Sequence, residues 1–154
     1  MSHDHTHYTE EELQPYGFFP CGLPELMPPF GQRKQWLVVK TFCYITKEGW
    51  LIIVEESELS DLASIPTWLR MIFGVNKRET VGAVIHDHGY RNQNERDVIT
   101  YSTKEYGLLD RRQWDTILHD VMILASTRKI RAKAINAGLK VGGWWGWRKN
   151  KPKD

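Results

Sequence analysis

The chain has 154 residues, a net charge of +2, 41% hydrophobic and 26% charged residues, and two cysteines, Cys21 and Cys43, without CxxC spacing. That balance fits one globular unit able to bury its own core, and it excludes a low-complexity or disordered chain and argues against a disulfide framework. No apolar run approaches the roughly 20 residues of a spanning helix and the polar start carries no secretory pattern, so the expected setting is a cytoplasm.

In chain order, residues 1–15 are polar and aperiodic and predict a flexible leader. Its His3, Asp4, His5 and His7 suit adventitious metal pickup rather than a built site. Residues 16–31, rich in proline and aromatics, predict a loop that packs without regular structure. From Gln35, two β-branched and aromatic runs (QWLVVKTFCYIT and WLIIVEE) flank the turn Lys47-Glu48-Gly49 and predict a hairpin. A short helix is expected over 66–73, with Ser64 as its cap, and a second over 80–90. On that second helix Val81, Val84, Ile85 and His88 share one face and Ala83, His86, Asp87 and Tyr90 the other, with Gly89 marking its C-terminal region. A polar loop is expected from Asn92 to about Gly107. A long helix over 108–125 then carries the apolar stripe Trp114, Ile117, Leu118, Val121 and Ala125. A basic helix over 127–141 and the tail GGWWGWRKNKPKD complete the chain. The reading is α+β: an N-terminal hairpin or small antiparallel sheet, then a bundle of three to four helices with a His–Asp core. Residues 16–147 form one domain and 148–154 a basic tail.

Charge is unevenly spread. Residues 1–75 carry a net −5 and residues 76–154 a net +7, with nine Lys or Arg against one acid after Asp120. Such an end favours an anionic partner, although a solvated helix face explains it equally well.

Three segments hold residues able to do chemistry. His86-Asp87 sits on a helix with two apolar-leaning faces, where a buried carboxylate beside a buried imidazole needs partners. A base, a metal ligand and a satisfied structural pair all remain open. Asp115 and His119 stand four residues apart on the long helix, as two ligands of one metal, as a carboxylate orienting an imidazole, or as an ordinary ion pair. Asp115 lies nearer the apolar stripe, whereas Asp120 points away from it and is expected to be solvated. In Ser60-Asp61-Leu62-Ala63-Ser64-Ile65-Pro66, helix capping explains Ser64 but not Asp61. No GxSxG, P-loop, HExxH or EF-hand spacing occurs.

Together these segments resemble the phage-associated domain-of-unknown-function family 1353, whose pattern runs TDxASIP, HDxxY and RxxAD. Here the matches are Ser60 to Pro66, His86 to Tyr90, and Arg112-Gln113-Trp114-Asp115. This chain departs at Trp114, where the family has alanine, and in Val54-Glu55-Glu56-Ser57-Glu58, where the family has a Val-Pro-x-Gly-Phe lead-in. Locally, HDHGYRN followed by LLDRRQWDTILHD is also similar to the prokaryotic phospholipase A2 helix pair. That second resemblance implies His86 as a general base, Asp115 as the carboxylate that orients it, Asp87 as a calcium ligand, and Asp61 with the Leu62 carbonyl completing the metal site. Tyr90 and His119 are further candidates. With zinc in place of calcium, His86 and Asp115 would be direct ligands, joined by Asp61 or His119.

The resulting expectation is a metal-dependent hydrolase of phage or prophage origin, in the host cytoplasm or the virion. Its basic tail with Trp144, Trp145 and Trp147 would suit a lipid surface. The alternative is a non-catalytic accessory protein that binds a phage or host protein, with the His–Asp cluster purely structural. Nucleic acid is the weaker partner, since no reader motif is visible.

Overall fold

Two small antiparallel sheets precede and flank the helices. The computed structural model describes residues 14–32, 35–62, 77–92, 98–100, 106–125 and 127–149. The expected leader, the helix over 66–73 and the Ser64 cap fall largely or wholly outside these residues. One sheet has the order β1 (Leu26–Met27), β2 (Trp36–Val38), β5 (Leu59–Ser60). The other has the order β3 (Phe42–Ile45), β4 (Trp50–Val54), β6 (Val98–Thr100), β7 (Tyr106–Gly107).

The predicted hairpin forms between β3 and β4, with Tyr44 opposite Ile52 and Phe42 opposite Val54. All four of these side chains are buried. Gly49, at φ +86°, closes the turn in a left-handed conformation that costs glycine little. Its N–H donates to the Thr46 carbonyl at 2.9 Å. The first apolar run is not one strand, however. It divides after Val38, whose N–H and C=O are both taken by the Glu58 and Ser57 backbone. Trp36–Val38 therefore serves one sheet and Phe42–Ile45 the other. Two further expectations are corrected. The proline-rich stretch contributes β1, and the presumed loop from Asn92 to Gly107 contains β6 and β7, which extend the hairpin sheet. Neither signal is strong locally, because strands of two or three residues owe their order to the neighbour they pair with.

The helices are α1 (Lys77–Arg91), α2 (Arg111–Leu124) and α3 (Lys129–Lys149). Asp110 caps α2 in a full capping box: its carboxylate accepts from Gln113 N–H at 2.9 Å, while Gln113 Oε1 accepts from Asp110 N–H at 2.7 Å. α2 lies between two apolar clusters. Trp114, Ile117 and Val121 join Tyr44, Ile52, Val84 and Ile85 against the sheet. Leu118, Met122 and Ile123 join Ala83, Ala132, Ile135 and Leu139 between the helices. Every residue of α1 from Glu79 to Tyr90 is buried, as its two apolar-leaning faces require.

α3 runs on past Val141 through Gly142 to Lys149, so the basic helix is longer than its sequence predicts. The Trp147 ring meets Tyr90 of α1 edge-to-face at 5.0 Å, an anchor beyond the helix-weakening glycines. Glu79 of α1, fully buried, is bound by Arg131 of α3, with Nη2 donating at 2.8 Å. Asp120 corrects its expectation: it is buried and ion-paired with Lys47 of the hairpin turn at 3.0 Å. Cys21 and Cys43 are free thiols. Among the described residues, no helix is long and apolar enough to cross a membrane.

Candidate functional site

The site is set by how closely α1 and α2 approach. Gly82, His86 and Gly89 recur at i, i+4 and i+7, one stripe of a helix, and this stripe faces Trp114, Leu118 and Met122 of α2. A Cβ on Gly82 would stand 2.8 Å from Leu118 Cδ1, and one on Gly89 would fall inside the Trp114 ring. Gly89 is therefore not a helix terminator. It is the floor on which Trp114 lies, and α1 continues past it to Arg91.

Between the two glycines, His86 reaches across to α2. Its Nε2 bonds Asp115 Oδ1 at 2.8 Å, and one turn later Tyr90 Oη donates to the same oxygen at 2.7 Å. The His86 and Tyr90 rings lie 4.0 Å apart between centroids. Arg111, one turn before Asp115, places a buried Nη1 3.9 Å from Oδ2. Because a carboxylate only accepts, Nε2 carries a proton, and in the neutral imidazole Nδ1 is then the nitrogen with the lone pair. That Nδ1 is buried and has no hydrogen-bond partner among the described residues, on a side chain that is 0% exposed. Burial, then the hydrogen bond to Asp115 and its charge, pushes the Tyr90 phenol well above its usual range, so it remains a donor.

A second knot ties α1 to β5. Ser60 Oγ donates to Asp87 Oδ2 and accepts from Leu62 N–H at 3.2 Å. Leu62 is held in the left-handed region at φ +57°, a conformation costly for a residue with a Cβ. Arg91 closes the same junction, donating to the Leu59 carbonyl and standing 3.5 Å from Asp61 Oδ1.

His86, Asp115 and Tyr90 thus form one cluster, while Asp87 and Leu62 meet through Ser60. Asp61 is half exposed beside Arg91. His119 pairs with its neighbour Asp120 at 3.2 Å, on the turn after Asp115. His88, on the face it shares with Val81, Val84 and Ile85, is buried and bonds Glu58 Oε2 through Nδ1 at 2.9 Å. Sequence reasoning passed over Ser60, Gly82 and the role of Gly89. The Gly-x3-His-x2-Gly spacing was the available signal for the glycines. Ser60 opens the motif at 60–66, but nothing local marks its bond to Asp87, 27 residues away.

Among the described residues, no group of three or more His, Cys, Asp or Glu side chains stands together as a metal site. A surface cleft between the hairpin turn and α2, lined by Trp50, Asp110, Arg112, Gln113 and Thr116, includes none of the nominated residues.

No curated protein and no solved structure matches this chain. One family model does, described as "Protein of unknown function (DUF1353)", and it spans residues 36–139, about two thirds of the sequence. That span takes in the hairpin, β5, the His86–Asp115 pair and about half of α3. The chain belongs to the DUF1353 family.

Proposed function

We propose that this protein is a hydrolase in which His86 activates water for attack on an ester. The observation that carries this reading is the His86 imidazole itself. Its Nε2–H is engaged by Asp115, while its Nδ1 lone pair is buried with no described hydrogen-bond partner. An orphaned buried nitrogen is costly, and a base awaiting its proton is one physical reason to keep it. The facing-helix carboxylate matches the geometry that the phospholipase A2 resemblance implies, and Tyr90 adds a second restraint on that carboxylate.

In this reading Nδ1 takes a proton from water, and the hydroxide adds to the ester carbonyl. The tetrahedral oxyanion then collapses, and the leaving alkoxide recovers the proton from His86. Asp115 holds the tautomer and stabilises the transient imidazolium. The proposal includes a divalent cation, calcium or zinc, which when bound would stabilise the oxyanion. Asp87 and the Leu62 carbonyl are its candidate ligands. The described contacts commit Asp87 to Ser60 and Asp61 to Arg91, and they offer no ready three-ligand group. The proton transfers themselves need only His86, Asp115 and water.

The test is fatty-acid release from phospholipid vesicles, with calcium or with chelator, by the wild-type protein and by His86→Ala. The expected loss in the variant is about 10²–10⁴-fold. Equal release by both proteins overturns the reading, and unchanged release under chelator removes the metal from it.

The complete burial of His86 favours a second reading. Here the cluster only clasps two helices in an accessory protein of a phage or prophage that binds a host or virion protein. It predicts no release by either protein and a marked fall in Tm for His86→Ala.

A further inference from the structure

α3 turns one side inward and leaves the other to solvent. Ala132, Ile135 and Leu139 are buried among the helices. On the outward side Lys133, Ala137 and Lys140 are exposed, and Ile130 and Val141 are 84% and 82% exposed. From Arg128 to Lys149 the sequence contains no Asp or Glu. Ile130 and Val141 lie eleven residues apart, about 16 Å along the axis, with Lys133 and Lys140 on the same stripe between them. Trp147 is not part of this surface, because its ring is turned against Tyr90.

We propose that this outward face of α3 docks on an anionic phospholipid bilayer. The lysine ammonium groups would sit at the lipid phosphates, while Ile130 and Val141 would enter the boundary with the acyl chains. Charge complementarity alone would also suit a nucleic acid. The two outermost side chains decide between them, since a phosphodiester backbone offers aliphatic groups no apolar phase to enter, whereas a bilayer does. The inner side of the helix is already committed to the protein core, so the contact is shallow and largely electrostatic. It follows that salt must weaken it steeply.

The proposal concerns binding only and stands apart from the hydrolase reading. Its test is co-sedimentation of the full chain with vesicles of ether-linked lipids, which lack the ester that the proposed reaction needs. Phosphatidylglycerol mixed with phosphatidylcholine is compared with phosphatidylcholine alone, at low and at high salt. We expect capture only by the anionic vesicles, lost at high salt. Lys133→Glu with Lys140→Glu should cut partitioning by at least about tenfold. Ile130→Ser with Val141→Ser should weaken it several-fold without any change in charge, and both variants should keep the wild-type Tm because all four positions are exposed. Absence of capture by anionic vesicles at low salt overturns the proposal. So does an Ile130→Ser/Val141→Ser variant that binds as well as wild type, or random-sequence duplex DNA that outcompetes the vesicles, for then the face reads polyanions and not a bilayer.

Discussion

At the scale of single residues, the unusual atom is Asp115 Oδ1, which takes bonds from both His86 and Tyr90. Either donor can be lost without emptying the acceptor, so Tyr90→Phe should be mild. Chemical denaturation should show a loss of about 1 kcal/mol. Any hydrolytic activity should fall far less than in His86→Ala, because the base itself survives. Both Tyr90 and Tyr44 are shifted upward from a reference value of 10.0, chiefly by burial. A raised folded-state value means that the unfolded phenol ionises first as pH increases. Their contribution to stability is thus fully present below about pH 10 and lost progressively above it. An alkaline Tm series should show that decline, and Tyr90→Phe should make it shallower.

At the scale of elements, helix propensity and packing make opposite demands at Gly89. On propensity alone, Gly89→Ala in a helix interior would stabilise by about 1 kcal/mol. Its new Cβ would overlap the Trp114 ring, and overpacking of that kind costs typically 1–3 kcal/mol or more. Packing should win, and urea titration should find the variant less stable than wild type. Trp114→Ala should cost about 3–5 kcal/mol as a lone cavity. In combination with Gly89→Ala the two losses should sum to less than their separate values, since the space each variant disturbs is the same. Full additivity would show that α1 and α2 do not meet at this pair.

At the scale of the whole molecule, α1 is held to every other layer. It reaches the sheet cluster through Val84 and Ile85, β5 through Asp87 and Arg91, α2 through its glycine stripe, and α3 through Glu79 and Trp147. Arg131→Ala would leave the buried Glu79 carboxylate without this cation. Because Arg131 is itself 22% exposed, we expect a loss of about 2–3 kcal/mol, below that of a fully buried pair. Arg131→Met with Glu79→Gln should recover much of it. An Arg131→Ala protein as stable as wild type would show that α3 is not clamped there.

The periodicities of α1 and α2 and the Gly49 turn are legible in sequence because each depends on residues within a turn or two of one another. The α+β class, the burial of α1 on both faces and the deeper burial of Asp115 than of His119 follow from the same local patterns. Contacts between distant segments follow different rules. Val38 joins the β1-β2-β5 sheet and not the hairpin because Glu58 and Ser57 take its backbone groups, β6 is a strand because β4 is beside it, and α3 continues past Gly142 with Trp147 docked on Tyr90. Asp120, expected to be solvated, and His88, on an apolar-leaning face, are paired with Lys47 and Glu58 from other segments. The sequence by itself named His86, Asp87 and Asp115 as residues to watch. Only the tertiary structure decided that His86 and Tyr90 converge on one carboxylate oxygen while Asp87 turns to Ser60, because helical phase sets a side chain's direction and packing between segments sets what it meets.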